Sequence, residues 1–148
     1  MSNSGSINKK QLITKEEEAG DGDLEGYSQK IKTYITHNKG ASWELIRSPE
    51  TDMRGNPNKC YIEDGCSLHL QMYSHNTQMY APPYSQESAI GIVMAVGSIG
   101  QRLQLERGAR KGTFLSRDGG LTWSEIAMIP LIYEFGDHGA LLLAAPNT

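Results

Sequence analysis

From residue 30 onward, apolar positions recur with a period of two in short runs. Residues 32–36 (KTYIT) alternate, and 43–46 (WELI) are half apolar. In 67–73 (SLHLQMY), Leu68, Leu70 and Met72 fall on one strand face and His69 on the other. Residues 89–96 (AIGIVMAV) are almost wholly apolar, the pattern of a strand covered on both faces. Residues 112–115 (GTFL), 122–126 (TWSEI), 131–135 (LIYEF) and 140–145 (ALLLAA) follow, the last with a composition that also suits a helix. No long stretch carries a helical period, so the pattern predicts an all-β fold.

Residues 1–29 break this texture. Up to residue 30 there are six acids, four lysines and few large apolar side chains. Such a segment buries too little to offset its ordering entropy, which predicts a disordered polar tail. Glu16, Glu17 and Glu18 are the one place where a short helix could start. The stretches 48–65 and 74–87, rich in Pro, Gly and Asn, read as long loops on one rim.

Two segments match at an offset of 80 positions. Thr36, Asn38, Gly40, Ser42 and Trp43 align with Ser116, Asp118, Gly120, Thr122 and Trp123. Each reads as a tight hairpin. The Asn or Asp side chain accepts backbone N–H bonds, Gly supplies a positive φ, and the hydroxyl closes the loop. The Trp ring covers the turn and buries about 150–250 Å². Repeated units in an all-β chain point to repeated β modules. None of these groups is a reactive constellation.

The spacing resembles the Asp-box, S/T-x-D-x-G-x-T/S-W, of sialidases and sortilin-type sorting receptors. The second copy is complete, and the first has Asn38 in place of Asp. CYIEDGCSLHL at 60–70, SQESAIGIVMAVGSIG at 85–100, the second box and YEFGDHG at 133–139 run in the order seen in the sortilin-type receptors. The resemblance covers roughly 30–145. It implies a fragment of a ten-bladed β-propeller, about two blades. SLHL, GIVMAVG, GTFLS and TWSEI would be one full blade, flanked by the end of one blade and the start of the next. It also implies a local disulfide between Cys60 and Cys66. The alternative, in a reducing compartment, is two free thiols.

Charge and candidate chemistry narrow the picture further. A net charge of -3 argues against a non-specific nucleic-acid binder. No apolar run reaches the roughly 18–20 residues that span a bilayer, and residues 1–30 lack a signal-peptide apolar core. His37, His69, His75 and His138 are scattered, and neither they nor the cysteines have zinc-ligand spacing. Arg102, Arg107, Arg110 and Lys111, with Glu106 among them, read as a solvated hairpin loop. Sialidase chemistry needs an arginine cluster and a carboxylate-assisted nucleophile on a complete ring. The Arg-Ile-Pro string of such enzymes is absent, the nearest being Arg47-Ser48-Pro49. The expectation is no enzyme, no catalytic or metal residues and no cofactor. There is no N-x-S/T sequon.

The function the resemblance implies is a non-catalytic binding module. Members of the family bind peptide or protein ligands on the lumenal side of Golgi and endosome membranes and sort them toward vacuole or lysosome. Their peptide-anchoring residues lie upstream of the matching stretch, so no ligand-binding residue carries over. Membrane attachment would come through segments absent from this chain, and assembly with other propeller blades is a possible partnership. The rival readings are a truncated gene product without receptor function, cytosolic if the chain is complete as given, and a sialidase-like fragment.

Overall fold

A computed structural model describes residues 12–17, 30–71, 91–104, 108–137 and 141–146. These residues form three antiparallel sheets and one 3₁₀ turn, Ile62–Asp64. The first sheet orders β1 (Leu12–Glu17), β2 (Lys30–Ile35) and β3 (Glu44–Leu45). The second is a four-stranded meander of β4 (Ser67–Leu70), β5 (Val93–Gly100), β6 (Gly112–Ser116) and β7 (Ser124–Ala127). The third is the hairpin β8 (Leu131–Gly136) and β9 (Leu141–Pro146).

The all-β expectation holds, and the ambiguous run near the end is a strand. Its register pairs Ile132 with Ala145 and Glu134 with Leu143. Residues 12–17, within the stretch expected as a disordered tail, form β1 instead. Leu12 pairs with Ile35 in register, is 3% exposed and belongs to the core. One well-placed leucine and a neighbour with free backbone groups order a strand that composition alone reads as solvated. The remaining residues of 1–29, all of the loop 74–87, and Met72, Tyr73, Ala89 and Ile90 lie outside the described residues.

The core is one cluster drawn from both large sheets. Leu12, Ile35 and Ile46 meet Leu68, Leu70, Val93, Ala95, Phe114 and Trp123, with Ile99 packed against them. Burying each large member contributes about 1.5–3 kcal/mol. Every residue of β4 is buried, including Ser67 and His69 on the face opposite the leucines. His69 therefore lies inside the fold, its ring bonded to Thr33 of β2, Ser67 and Gly100. Backbone bonds stitch the sheets: Leu68 N–H donates to Ile46 O at 2.9 Å, and Leu103 N–H to Ile31 O at 2.7 Å.

None of the described side chains of the third sheet belongs to that cluster, and Ile132, Leu141 and Leu143 on it are about half exposed. Thr113 joins it to the second sheet. Its hydroxyl donates to Ile129 O and accepts from Leu131 N–H, both at 2.9 Å.

β4 and β5 approach closely at Gly97, opposite Leu70. A Cβ there would stand 2.2 Å from the backbone oxygen of His69. Neither strand can yield without losing its ladder, so Gly97→Ala should lower stability by about 3 kcal/mol. Urea denaturation reads this as a lower midpoint, and an unchanged midpoint would refute the close approach.

Candidate functional site

The two matched segments form the same turn. In the first, between β2 and β3, Thr36 Oγ1 donates to Asn38 Oδ1 at 2.9 Å and accepts Gly40 N–H at 2.9 Å. Asn38 Oδ1 also accepts Ser42 N–H at 2.9 Å. In the second, between β6 and β7, Ser116 Oγ donates to Asp118 Oδ1 and accepts Gly120 N–H, both at 2.8 Å. Asp118 Oδ1 accepts Thr122 N–H at 2.9 Å. Among the bonds of the Asn or Asp side chain, the two differ at one. Asn38 Nδ2 donates to Ser42 Oγ at 2.7 Å, whereas Asp118 Oδ2 accepts from Thr122 Oγ1. A hydroxyl donates or accepts, so either side chain completes the loop.

Two successive positive φ values make these turns tight: Lys39 (58°) with Gly40 (88°), and Gly119 (72°) with Gly120 (93°). The tryptophans diverge. Trp123 is buried in the core and donates Nε1–H to Gly120 O at 2.9 Å. Trp43 is half-buried and lies against Gly40. Each network is internal to its own hairpin.

Burial alone would raise the Asp118 carboxyl. Hydrogen bonds from the Thr122 side chain and backbone and from Ser116 outweigh it and hold the group below its ordinary value.

Cys60 and Cys66 form a disulfide with their Cα atoms 5.2 Å apart. It encloses the 3₁₀ turn that leads into β4, where Asp64 and Cys66 both donate backbone N–H to Tyr61 O. The preceding loop is also ordered. Thr51 bridges Pro57, and Asp52 Oδ1 accepts N–H from Arg54 and Asn56 at 2.9 Å.

Sequence reasoning missed a charged clamp on this loop. Glu125 on β7, its side chain 3% exposed, accepts Met53 N–H at 3.1 Å and faces Arg110 at 3.6 Å. Arg110 also reaches Asp52 at 3.9 Å. Burial pushes Asp52 up, but bonds from Asn56 and Arg54 and the Arg110 charge bring it below its ordinary value. Gly112 leaves room for Glu125: a Cβ there would lie 2.7 Å from Glu125 Oε1. The solvated-loop reading of the basic cluster is corrected for Lys111, which is buried, while Arg110 pairs with two carboxylates and keeps its side chain 59% exposed. The contacts of this loop with Glu125 and Arg110 span more than 50 positions, which local patterning does not register. Arg107 and Glu106 lie outside the described residues.

These groups hold backbone in place, and they do not converge on a substrate. Beside the first turn, Ile35, His37, Asn38, Ser42 and Glu44 line an open depression of about 170 Å³. Small-molecule sites usually occupy about 300–1,000 Å³. Among the described residues, no three His, Cys, Asp or Glu are placed to hold a metal ion. Likewise, no helix among them is long and apolar enough to cross a membrane.

The class these features define is an all-β protein of repeated antiparallel units closed by matching polar turns. The family model described as "Sortilin, neurotensin receptor 3" (Sortilin-Vps10) matches residues 10–148, and the chain belongs to that family. Similar relatives are each named vacuolar protein sorting/targeting protein 10. The one from Paracoccidioides brasiliensis strain Pb18 is 38% identical over 83% of this chain. The one from Debaryomyces hansenii is 41% identical over 78%, and that from Aspergillus clavatus 38% over 82%. The chain spans only 7–8% of the length of these relatives. The names of these relatives describe sorting and targeting rather than catalysis.

Asp118→Asn should leave stability near neutral pH almost unchanged, because Asn38 closes the equivalent turn. Asp118→Ala should cost about 1 kcal/mol. The depressed Asp118 value makes its stabilisation present above about pH 4 and lost as pH falls through the folded value. Thermal melts from pH 7 to pH 3 should show a shallower acid decline for Asp118→Asn, and a parallel decline would contradict the assignment. For the clamp, Arg110→Met should cost about 1–2 kcal/mol by stranding a buried carboxylate. Adding Glu125→Gln should recover part of that loss. Strict additivity in a double-mutant cycle would show that the two groups are not coupled.

Proposed function

We propose that the chain is part of the ligand-binding β-propeller of a sorting receptor. In this reading β4 to β7 are one complete blade, β1 to β3 the last three strands of the blade before it, and β8 and β9 the first two of the next. The observation that carries it is the placement of the two equivalent turns. Each joins the last two strands of its sheet, β2 to β3 and β6 to β7, as a repeating unit requires. The half-exposed apolar residues of the β8–β9 hairpin are consistent with a sheet that other strands complete.

The module binds peptide or protein cargo and takes part in its movement between Golgi, endosome and vacuole or lysosome, on the lumenal side of the membrane. Membrane attachment comes from other parts of the receptor. The Cys60–Cys66 disulfide fits an oxidising lumen. Thr36, Asn38, Gly40, Ser42 and Trp43, with Ser116, Asp118, Gly120, Thr122 and Trp123, are structural turn residues, and the cargo surface lies elsewhere.

Disrupting the coding segment in the cells that make it should divert a soluble vacuolar or lysosomal hydrolase to the medium. Antibody to residues 50–59 should detect the product in the membrane fraction. Normal hydrolase delivery together with a wholly soluble product would overturn the receptor reading.

A further inference from the structure

Gln71 stands just past the end of β4, and its backbone N–H still donates to Val96 O on β5 at 2.8 Å. The strand alternation therefore continues through it. Leu68 and Leu70 lie on one face, and Ser67, His69 and Gln71 on the other. On β5 that second face carries Val96 and Ser98, because His69 pairs with Ser98 and Gln71 lies opposite Val96. Ser98 is thus the diagonal neighbour of Gln71 across the ladder.

Both side chains are inside the protein, Gln71 being 1% exposed and Ser98 2%. Among the described residues, neither Oε1 nor Nε2 of Gln71 has a hydrogen-bond partner. A carboxamide buried without partners lowers the folding equilibrium constant by roughly tenfold or more. Ser98 has bonding capacity to spare. Its Oγ accepts Gln104 N–H at 3.1 Å, which uses an oxygen lone pair and leaves the hydroxyl proton to be given. The carboxamide offers the complement, an acceptor oxygen and two N–H donors. The two groups do not bond each other directly.

From this geometry we infer that Gln71 and Ser98 form an internal water site on the buried polar face of β4 and β5. Diagonal neighbours across an antiparallel ladder stand about 7–8 Å apart at their backbones, and two hydrogen bonds in series span about 5–6 Å. The water accepts the Ser98 hydroxyl proton and donates to Gln71 Oε1. Two polar partners suffice to hold a buried water. Both groups are closed to bulk solvent, so a larger ligand would have to part the strands. Neither is charged, which favours a neutral dipole over an ion. The site ties β4 to β5 through side chains as well as through the ladder.

The test is a double-mutant cycle of Gln71→Met and Ser98→Ala, read by urea unfolding of the full chain. Methionine has a similar length and lacks the carboxamide. Gln71→Met should lower the folding equilibrium constant by about fivefold in the wild type. In Ser98→Ala it should lower it much less, because the water has already lost a holder. Ser98→Ala also leaves Gln104 N–H without its acceptor, but that loss is common to both arms of the cycle and cancels. A carboxamide that is simply unpaired gives the reverse, since Gln71→Met then raises the constant by the same factor with or without Ser98. A gain in stability, or strict additivity, overturns the water site. Should a variant fail to fold, a crystal structure of the wild-type chain decides. It should show an ordered water within hydrogen-bond distance of both Gln71 and Ser98 Oγ, and a carboxamide with a direct protein partner, or with no water, overturns the proposal.

Discussion

Thr33 and His69 hold two sheets together through polar atoms that are wholly inside the protein, and the rest of the described core is arranged around that joint. Thr33 N–H meets the imidazole, while the Thr33 hydroxyl satisfies Leu70. An unpaired buried donor costs about 1–3 kcal/mol, so these groups are satisfied together or not at all. Apolar contacts alone tolerate small slips between sheets, whereas this joint specifies one register of β2 against β4. The Ile46–Leu68 bridge and the Leu103–Ile31 bond extend the same seam at the backbone.

The repeated turns solve a separate problem. A hairpin between packed strands must reverse in few residues and still satisfy its own N–H groups. Both copies do so with one carboxamide or carboxylate oxygen that serves a hydroxyl and a backbone donor together. The tryptophan then differs with context. Trp123 enters the core beneath the four-stranded sheet, and Trp43 stays half-buried over Gly40. The conserved element between the copies is thus the hydrogen-bond loop, and the ring adapts to whatever lies beside it.

The long segment ahead of β4 is held by three unlike means: a disulfide, an Asp52-centred turn and the Glu125 clamp. The first two are local. The clamp reaches across to β7 and requires Gly112 to lack a side chain. A loop of this length gains a single conformation from such anchors rather than from its own apolar content. This leaves its exposed Met53 and Tyr61 in defined places on the surface.

Much of this was legible in the chain. Period-two runs gave the strands, and the 80-residue offset between Asn38 and Asp118 exposed the equivalent turns, because strand alternation and turn chemistry are local. Spacing alone left Cys60 and Cys66 open, and the family resemblance supplied their pairing. Local patterning could not show that β1 is ordered, since Leu12 has value only once Ile35 lies opposite it. It placed His69 on the second face of β4 without showing that the residue is buried and bonded to Thr33 of another sheet. It read Lys111 as solvated and missed the partners of Arg110, because Asp52 and Glu125 are brought near only by folding. Sequence determined the strands and turns, whose causes lie within a few residues. Tertiary structure alone decided which polar groups are buried, because burial depends on what distant segments lay over them.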